Sequence, residues 1–410
     1  MTDVFIGRQP VFDRDLNVNA YELLSCGTGG GKGLNQENRD RDAARVILSA
    51  FIDIGLENLV GPYQAYIRLT SAFLQYPNQV LLPPGQIVLQ ILGRIEPDEN
   101  TLRSIKVLKQ KGHTIAFGTS VFQQDQEPFL ELANMIRFDV ASLSQADIEA
   151  YVYQARHGDI RLVAGGIRLI ASEIDTYDKF ESMKRLDFDC YQGYFFSKPR
   201  IIHGKSLESS QAAILQLLGE INREDVDIPR LSQLISCDVP FSHKILKFIN
   251  SSASGVSVKV GSVLQAIVLL GLSTIKKWIS VVALLRGSDK PDELLNSALV
   301  RAHACEQLSI KGRLLKPDNY FTLGLFSLLD AMMDQPMDKL MSELPFPDDM
   351  KLGMLDKSGD YGRVLSCVIA MEQNELESIQ FEDLELTQLA TLYQEALVWA
   401  DHHGRIIRGL

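Results

Sequence analysis

QAYIRLT at residues 64–70 and QIVLQIL at residues 86–92 are two short β-rich runs, and the first two hundred residues alternate such runs with helical segments. The other runs are VFIGRQPVF (4–12), AYELL (20–24), HTIAFG (113–118), MIRFDV (135–140), RLVAGG (161–166) and YFF (194–196). About eight strands with helices between them is the pattern of an α/β barrel. A doubly wound open sheet is the competing interpretation.

After SKPRIIHGK (197–205) the pattern changes to apolar residues at three- and four-residue spacing. This spacing predicts an all-helical second half. The predicted helical segments are 206–222, 228–236, 239–251, 261–285 and 291–309. We therefore predict an α/β domain at 1–202, a helical domain at 203–402 and a short C-terminal tail at 403–410. The apolar helix at 262–286 is interpreted as a buried central helix.

The composition indicates a globular protein that does not rely on charge to bind nucleic acid. The 410 residues carry a net charge of -11, and neither half is basic, which disfavours a broad phosphate-binding surface. The five cysteines show no paired spacing and are interpreted as reduced thiols. The start of the chain lacks a signal-peptide pattern, and the longest apolar run, AIVLLGL (266–272), is too short to span a membrane. We expect a cytoplasmic protein without membrane association.

The glycine-rich stretch CGTGGGKG (26–33) superficially suggests a phosphate-binding loop. Cys26 stands where the first glycine of that motif belongs, and Gly33 stands where a Ser or Thr should bind magnesium. We therefore interpret it as a flexible loop.

Active sites of α/β barrels lie at the C-terminal ends of the strands. The predicted strand ends carry Glu22, Arg68, Gln90, Gly118 with Thr119, and Arg137 with Asp139. Only Glu22 and Asp139 can supply an anionic oxygen, and the two guanidinium groups would repel a divalent cation. The chemistry of these residues disfavours a metal site.

The helical half contains His203, His243 and His303, but no His-Asp pair and no helical zinc motif. The sequence Asp401-His402-His403 is expected to be a solvated tail.

The end of the α/β half, YQGYFFSKP (191–199), resembles the end of EAL domains, a family of cyclic di-GMP phosphodiesterases. Three further segments resemble EAL landmarks in the same order: RQPVFDRDLNVNAYELL (8–24), LANMIRFDV (132–140) and ASEIDTYDKF (171–180). The helical half resembles the HDOD domain, a modified relative of HD-type phosphohydrolases. The segments that carry this resemblance are HKILKFINSSASG (243–255), VGSVLQAIVLLGLSTIKKWIS (260–280) and FTLGLFSLLDAMMDQPM (321–337). A TIM-like barrel of EAL type followed by an HDOD helical bundle is the fold that these resemblances imply.

The EAL resemblance also implies which catalytic residues are missing. Glu22 keeps the position of the signature glutamate, and Gln192 is retained. The remaining family ligands are replaced or shifted: Arg68 for an Asn, Gln90 for a second Glu, Gly118 and Thr119 for an Asp pair, Arg137 for a Lys, Ser172 for a Glu and Asp175 for the last Glu. The segment around Asp139 resembles the Lys-x-Asp strand. Cys26 stands where an arginine usually contacts the nucleotide. In the HDOD half, Ser327 and Leu328 occupy the positions of the His-Asp pair.

From these losses we expect a bacterial signalling protein that is not an enzyme, holds no metal or cofactor, and acts by binding other signalling proteins. A first alternative is a receptor that binds cyclic di-GMP or another nucleotide without hydrolysis, through Gln9, Glu22, Arg68, Arg137 and Gln192. A second is a phosphodiesterase with a rearranged metal site that uses Asp125 or Glu173. The apolar helical surface near Trp399 fits either packing on the barrel or a homodimer, and the sequence leaves this open.

Overall fold

The computed structural model divides the chain into two compact units, Met1–Phe195 and Phe196–Leu410. It describes residues 5–26, 55–69, 74, 82–123, 125–157, 166–198, 209–223, 260–286, 290–375 and 378–408, with isolated positions between 226 and 250. The glycine-rich stretch beyond Cys26 and most of the predicted segments at 228–236 and 239–251 lie outside the described residues.

The first unit is a closed barrel of eight strands in sequential order. The strands are β1 (Phe5–Phe12), β2 (Val18–Cys26), β3 (Gln64–Leu69), β4 (Ile87–Ile91), β5 (Thr114–Gly118), β6 (Met135–Asp139), β7 (Arg168–Ser172) and β8 (Cys190–Gln192). The helices described between them are α1 (Leu56–Val60), α2 (Glu99–Gln110), α3 (Glu127–Leu130), α4 (Gln145–His157) and α5 (Tyr177–Arg185). The predicted α/β barrel is confirmed, and the open sheet is excluded because the barrel closes.

Strand β1 closes the barrel by pairing antiparallel with both β2 and β8, whereas all other neighbouring strands are parallel. Parallel strands need crossover connections, which explains the helices between them. Since β2 to β8 all run in one direction, their C-terminal ends meet at one rim of the barrel. This rim is where barrel folds place their sites.

The prediction of the eighth strand at 194–196 was wrong, and the run predicted as the seventh strand, at 161–166, lies almost entirely outside the described residues. The seventh strand is Arg168–Ser172. The eighth is Cys190–Gln192, whereas the run at 194–196 belongs to a short 3-10 helix, Tyr194–Ser197. Gly193 separates the two with a φ of 151°, and a Cβ on this residue would lie 2.0 Å from the carbonyl oxygen of Ile174. The chain turns there, so the aromatic residues that follow do not continue the strand.

One buried apolar layer fills the barrel interior. Its members are Val11, Ala20, Tyr66, Val88, Ala116, Met135, Ile170 and Cys190. Side chains alternate between the two faces of a strand, so the residue two positions away faces the same interior. On β2 to β8, the residue two positions later in the chain lies one layer closer to the C-terminal rim. Strand β1 runs in the opposite direction, so its residue in that layer lies two positions earlier.

All regular secondary structure in the described part of the second unit is helical, as predicted. Its helices are α6 (Ser209–Ile221), α7 (Val263–Leu270), α8 (Leu272–Arg286), α9 (Asp292–Lys311), α10 (Pro317–Phe326), α11 (Leu329–Met333), α12 (Met337–Glu343), α13 (Asp348–Leu355), α14 (Gly359–Gln373) and α15 (Leu386–Arg408). Helix α9 is buried on several faces, including those that carry Leu295, Leu299 and Cys305. It therefore has the central place that the sequence assigned to 262–286.

The prediction of one continuous buried helix at 262–286 was wrong. Gly271 has a φ of 82° and ends α7, and α8 begins at the next residue. Three apolar side chains of α7 are at least half exposed, namely Leu264, Val268 and Leu269. Burial begins in α8, where Ile275 and Ile279 are fully enclosed.

The C-terminal region is also more ordered than a solvated tail. Helix α15 continues to Arg408, and His403 is buried. The His403 ring stacks on Trp399 with centroids 4.1 Å apart, and Trp399 stacks on His303 at 4.4 Å. Such ring pairs add to the free energy of apolar burial, which holds the end of α15 in place. None of the helices in the described residues is long and apolar enough to cross a membrane.

Candidate functional site

A layer of mostly polar residues lies at the C-terminal rim of the barrel. Its members follow from the alternation of each strand: Gln9, Glu22, Arg68, Gln90, Gly118, Arg137, Ser172 and Gln192. All of these positions were singled out from the sequence, and the fold brings them together. We call this set the rim layer.

The guanidinium of Arg137 bonds to three other members of the rim layer. Its Nη1 atom donates hydrogen bonds to Glu22 Oε2 at 2.6 Å and to Gln90 Oε1 at 3.2 Å. Its Nε atom donates to Ser172 Oγ at 3.1 Å, and that hydroxyl donates to the carbonyl oxygen of Phe138. The side chains of Arg137 and Glu22 are only 9% and 2% exposed, so they form a buried ion pair.

The ionisation of Glu22 depends on this pairing. Burial alone raises the pKa of the Glu22 carboxyl, because desolvation disfavours its charged form. The nearby guanidinium groups of Arg137 and Arg68, with hydrogen bonds from Arg137 and Gln192, outweigh burial and lower the pKa. Glu22 is therefore a carboxylate at neutral pH.

The retained glutamine also binds Glu22. Gln192 Nε2 donates to Glu22 Oε2 at 2.7 Å and to Gln9 Oε1 at 2.9 Å. Gly193, which follows it, was not singled out from the sequence, although it is the glycine of the YQGYFFSKP stretch. The Gln192 carbonyl accepts a hydrogen bond from the Ile174 N–H at 3.1 Å, which fixes the end of β8 just before Gly193.

Part of the rim layer keeps unused hydrogen-bonding capacity. Glu22 Oε1, Gln90 Nε2 and Gln192 Oε1 are buried without a hydrogen-bond partner among the described residues. Arg68 is 54% exposed, and its Nη2 atom lies 3.6 Å from Glu22 Oε1. Gly118 contributes no side chain, and a Cβ added there would meet nothing nearer than 3.9 Å.

The remaining candidates lie outside this network. Asp139 is at the exposed end of β6, where its carboxylate accepts from the backbone of Ala141 and Ser142. Asp175 is exposed beyond β7, and Thr119 begins a short 3-10 helix after β5. The second anionic oxygen that the strand ends offered is thus engaged in its own turn.

The rim layer does not fit a two-metal centre, which needs several converging oxygen anions. Its single carboxylate, Glu22, has one oxygen bonded to the guanidinium of Arg137 and the other facing Arg68. In the described part of the chain, no group of three or more His, Cys, Asp or Glu side chains is placed to hold a metal ion. A positively charged side chain stands among the residues that would ligate the cation.

The second unit has a comparable buried ion pair beside Ser327, one of the two positions where the sequence resemblance places a His-Asp pair. Arg301 of α9 makes a two-pronged ion pair with Glu372 of α14, with Nε–Oε2 at 2.6 Å and Nη2–Oε1 at 3.2 Å. Arg301 Nη1 also donates to Ser327 Oγ at 3.2 Å. Burial lowers the pKa of the Arg301 guanidinium, but Glu372 outweighs it and the net shift is upward. Leu328 is buried beside Ser327, and it offers no ligand atom.

Two charged residues near Arg301 respond to burial. Desolvation raises the pKa of Asp330, despite the Ala331 N–H and the charge of Arg301. Desolvation and the charge of Arg301 lower the pKa of Lys357. The sequence did not indicate the Arg301–Glu372 pair, because the two residues lie 71 positions apart on different helices.

Both halves of the chain are similar in sequence to known proteins. Residues 207–333 match the HDOD domain family. A Bacillus subtilis protein, the uncharacterized protein YuxH, is 29% identical over 97% of this chain and 98% of its own length. The cyclic di-GMP phosphodiesterase CdgJ of Vibrio cholerae is also 29% identical, over 99% of this chain and 94% of its own length.

A solved structure of the EAL enzyme Bd1971, bound to cAMP and cyclic di-GMP, is similar to part of the chain. It has 15% sequence identity and a TM-score of 0.39, and it covers 48% of this chain and 62% of its own.

Proposed function

We propose that this chain, which joins an EAL-like barrel to the HDOD domain at 207–333, is a catalytically inactive signalling protein of the cyclic di-GMP network. It acts through protein–protein interactions. The similarity to a Vibrio cholerae protein named for cyclic di-GMP hydrolysis supports the network. The name describes that protein's activity, and the residues of this chain's own rim layer argue for its loss here.

The observation that carries the proposal is the buried Arg137–Glu22 ion pair. In a low-dielectric site, a guanidinium 2.6 Å from the signature carboxylate neutralises the charge that would attract a divalent cation. A metal ion would have to displace Arg137 and leave a buried, unpaired cation, which costs several kcal/mol. The Arg301–Glu372 pair supports the same conclusion for the HDOD half.

A phosphodiesterase with a rearranged metal site would recruit carboxylates from beyond the rim layer. Asp125 forms an ion pair with Arg94. Glu173 is 55% exposed, and its Oε1 lies 3.9 Å from Arg137 Nη2. Both carboxylates already face guanidinium groups, which works against their use as metal ligands.

A non-hydrolysing nucleotide receptor is the second candidate, and a specific observation favours it. Gln9, Glu22 and Gln192 retain a connected hydrogen-bond network, and half-exposed Arg68 stands beside it. This arrangement is compatible with binding that needs no metal ion.

Turnover of cyclic di-GMP tests the catalytic half of the proposal. The full chain is incubated with cyclic di-GMP in magnesium and, separately, in manganese, and products are separated by chromatography. We expect no product from the wild type, from Glu22→Gln or from Asp15→Asn, which neutralises an exposed carboxylate in the β1–β2 turn. Metal-dependent product that disappears in Glu22→Gln but persists in Asp15→Asn refutes inactivity.

The interaction half is tested with the same variants. Wild-type chain and Glu22→Gln are immobilised, and retained proteins are cross-linked and identified. A role that needs no catalysis predicts the same partners on both, provided that circular dichroism shows both to be folded at the assay temperature. No specific partner on either protein contradicts the interaction role.

A further inference from the structure

Helix α7 presents an exposed apolar face without a charged side chain. Val268 is 78% exposed, and Leu264 and Leu269 are each 50% exposed. At 3.6 residues per turn, these three side chains lie within about 140° of the helix circumference. The sequence between Lys259 and Lys276 contains no charged residue. Single apolar side chains on a surface are ordinary, but a continuous uncharged face on one helix is typical of an interaction site.

Local hydrogen bonds hold α7 in its helical form. Ser262 Oγ accepts from the Gln265 N–H at 3.1 Å, and Gln265 Oε1 accepts from the Gly261 N–H at 2.8 Å, in the manner of a capping box. The side chain of Asn250 fixes the segment that leads into the helix. It accepts from the Val260 N–H at 2.7 Å and donates to the Val260 carbonyl at 2.8 Å. The exposed face is therefore ordered before a partner binds, which lowers the entropic cost of binding.

The absence of charge on α7 selects the surface that can cover it. A charged side chain buried against this face would lose its hydration without gaining a counter-charge. Nucleic acid and anionic lipid surfaces attract clustered Lys and Arg. The two lysines that follow α7 in the chain are engaged within the protein. Lys276 donates to the Arg223 carbonyl, and Lys277 forms ion pairs with Glu306 and Asp318. The partner must offer an uncharged apolar face, and α7 of a second copy offers one.

We propose that α7 packs antiparallel against α7 of a second copy of this chain. A two-fold axis at the middle of Val263–Leu270 places Leu264 of one copy opposite Leu269 of the other, and Val268 opposite Gln265. Each copy then contributes the same surface, as a two-fold contact requires. Leu264 and Val268 are one turn apart and form a ridge of the kind that packs into the groove of a facing helix.

The size and charge of the chain set the strength of this contact. A standard interface uses about 20–30 residues a side, whereas α7 has eight in all, so the dimer should be weak and concentration-dependent. Each copy carries a net charge of -11, and salt screens the repulsion between copies. Association should therefore strengthen with salt, whereas an interface held by ion pairs would weaken. This inference rests on the proposed interaction role and deepens it by naming one partner.

Sedimentation velocity of the full chain, over a wide concentration range at low and high salt, tests the proposal. We expect a monomer–dimer equilibrium that salt strengthens. Val268→Glu should weaken it about tenfold or more, because the dimer would bury two carboxylates against uncharged groups. The side chain is mostly exposed, so circular dichroism and tryptophan fluorescence should show unchanged unfolding. The matched control is Leu315→Glu, which changes an 86% exposed residue outside α7 and should associate like the wild type.

Cross-linking locates the contact. Val268→Cys lies close to the two-fold axis, so a short bismaleimide should join two copies well above the wild-type background, whereas Leu315→Cys should not exceed that background. The native cysteines Cys190, Cys305 and Cys367 are buried. Three results overturn the inference: a chain that stays monomeric throughout, association that Val268→Glu leaves unchanged, or equal cross-linking in the two cysteine variants. Each of them leaves the proposed interaction role intact if the immobilised chain still retains other proteins.

Discussion

Replacing Arg137 by Met should destabilise the barrel strongly. Met keeps the length and apolar stem of the side chain but leaves the buried Glu22 carboxylate with half-exposed Arg68, 3.6 Å away, as its remaining counter-charge. Breaking a buried ion pair from one side costs about 3–5 kcal/mol. For a unit of this size the unfolding temperature should fall by about 6–20 °C. Removing both charges, in Glu22→Gln/Arg137→Met, should recover most of the loss.

The two tryptophans make the assay selective. Trp278 and Trp399 both belong to the second unit, so tryptophan fluorescence follows that unit alone, whereas far-UV circular dichroism follows both. In Arg137→Met the dichroism transition of the barrel should move to lower temperature, while the fluorescence transition stays where it is. This separation matters because a chain of two units need not unfold in one step.

The pH dependence gives a further check on the same pair. The folded-state pKa of Glu22 is lowered, so the pair stabilises the barrel above the unfolded pKa of about 4.3, and this stabilisation is lost as pH falls through the folded value. The difference in barrel unfolding temperature between wild type and Arg137→Met should therefore become smaller at acid pH. Arg14→Met, which breaks an exposed pair with Asp187, should cost at most about 1 kcal/mol. An equally small loss of stability in Arg137→Met and Arg14→Met would contradict a stabilising role of the buried Arg137–Glu22 pair.

Three other predictions concern Gly193 at the end of β8, and Arg301 and His303 in the second unit. Gly193→Ala should lower the unfolding temperature seen by circular dichroism, because its Cβ would clash with backbone at 2.0 Å, whereas Gly7→Ala, with nothing within 4 Å, should not. Arg301→Met should lower the free energy of unfolding of the second unit, followed by tryptophan fluorescence, by about 3–5 kcal/mol and leave the stability of the barrel unchanged. An unchanged fluorescence transition would contradict a stabilising role of the Arg301–Glu372 pair. Burial, with the charges of neighbouring groups, lowers the pKa of His303 to about 4. The second unit should therefore lose stability as pH falls from about 6.5 towards that value, and His303→Phe should flatten this dependence in urea titrations followed by fluorescence.

The sequence predicted the barrel because its interior strands are short, apolar and separated by helical segments. It failed where a local pattern was misleading. The strand RLIAS at 168–172 was not predicted, and the aromatic run after Gly193 reads as β-rich although the backbone turns there. Gly271 was read as part of a helix, yet its positive φ divides that helix in two.

The members of the rim layer could be predicted, but the bonds between them could not. Alternation along each strand places Glu22 and Arg137 at the same level of the barrel. Whether the guanidinium reaches the carboxylate depends on barrel closure and on side-chain conformations, across 115 positions of sequence. No comparable pattern indicates the Arg301–Glu372 pair, because the sequence of a helix does not show which neighbouring helix each of its faces will contact.

The buried guanidinium–carboxylate ion pairs of both units bear on how much of the protein is folded in a cell. In a metalloprotein part of the folding free energy comes from a dissociable ion, so the folded fraction follows the supply of that ion. Here the positive charge of each pair belongs to an arginine side chain of the same chain, so translation supplies it together with its carboxylate and in equal number. We expect the unfolding temperature of both units to be the same with and without chelator, so that starvation for manganese or zinc would leave the amount of folded protein unchanged.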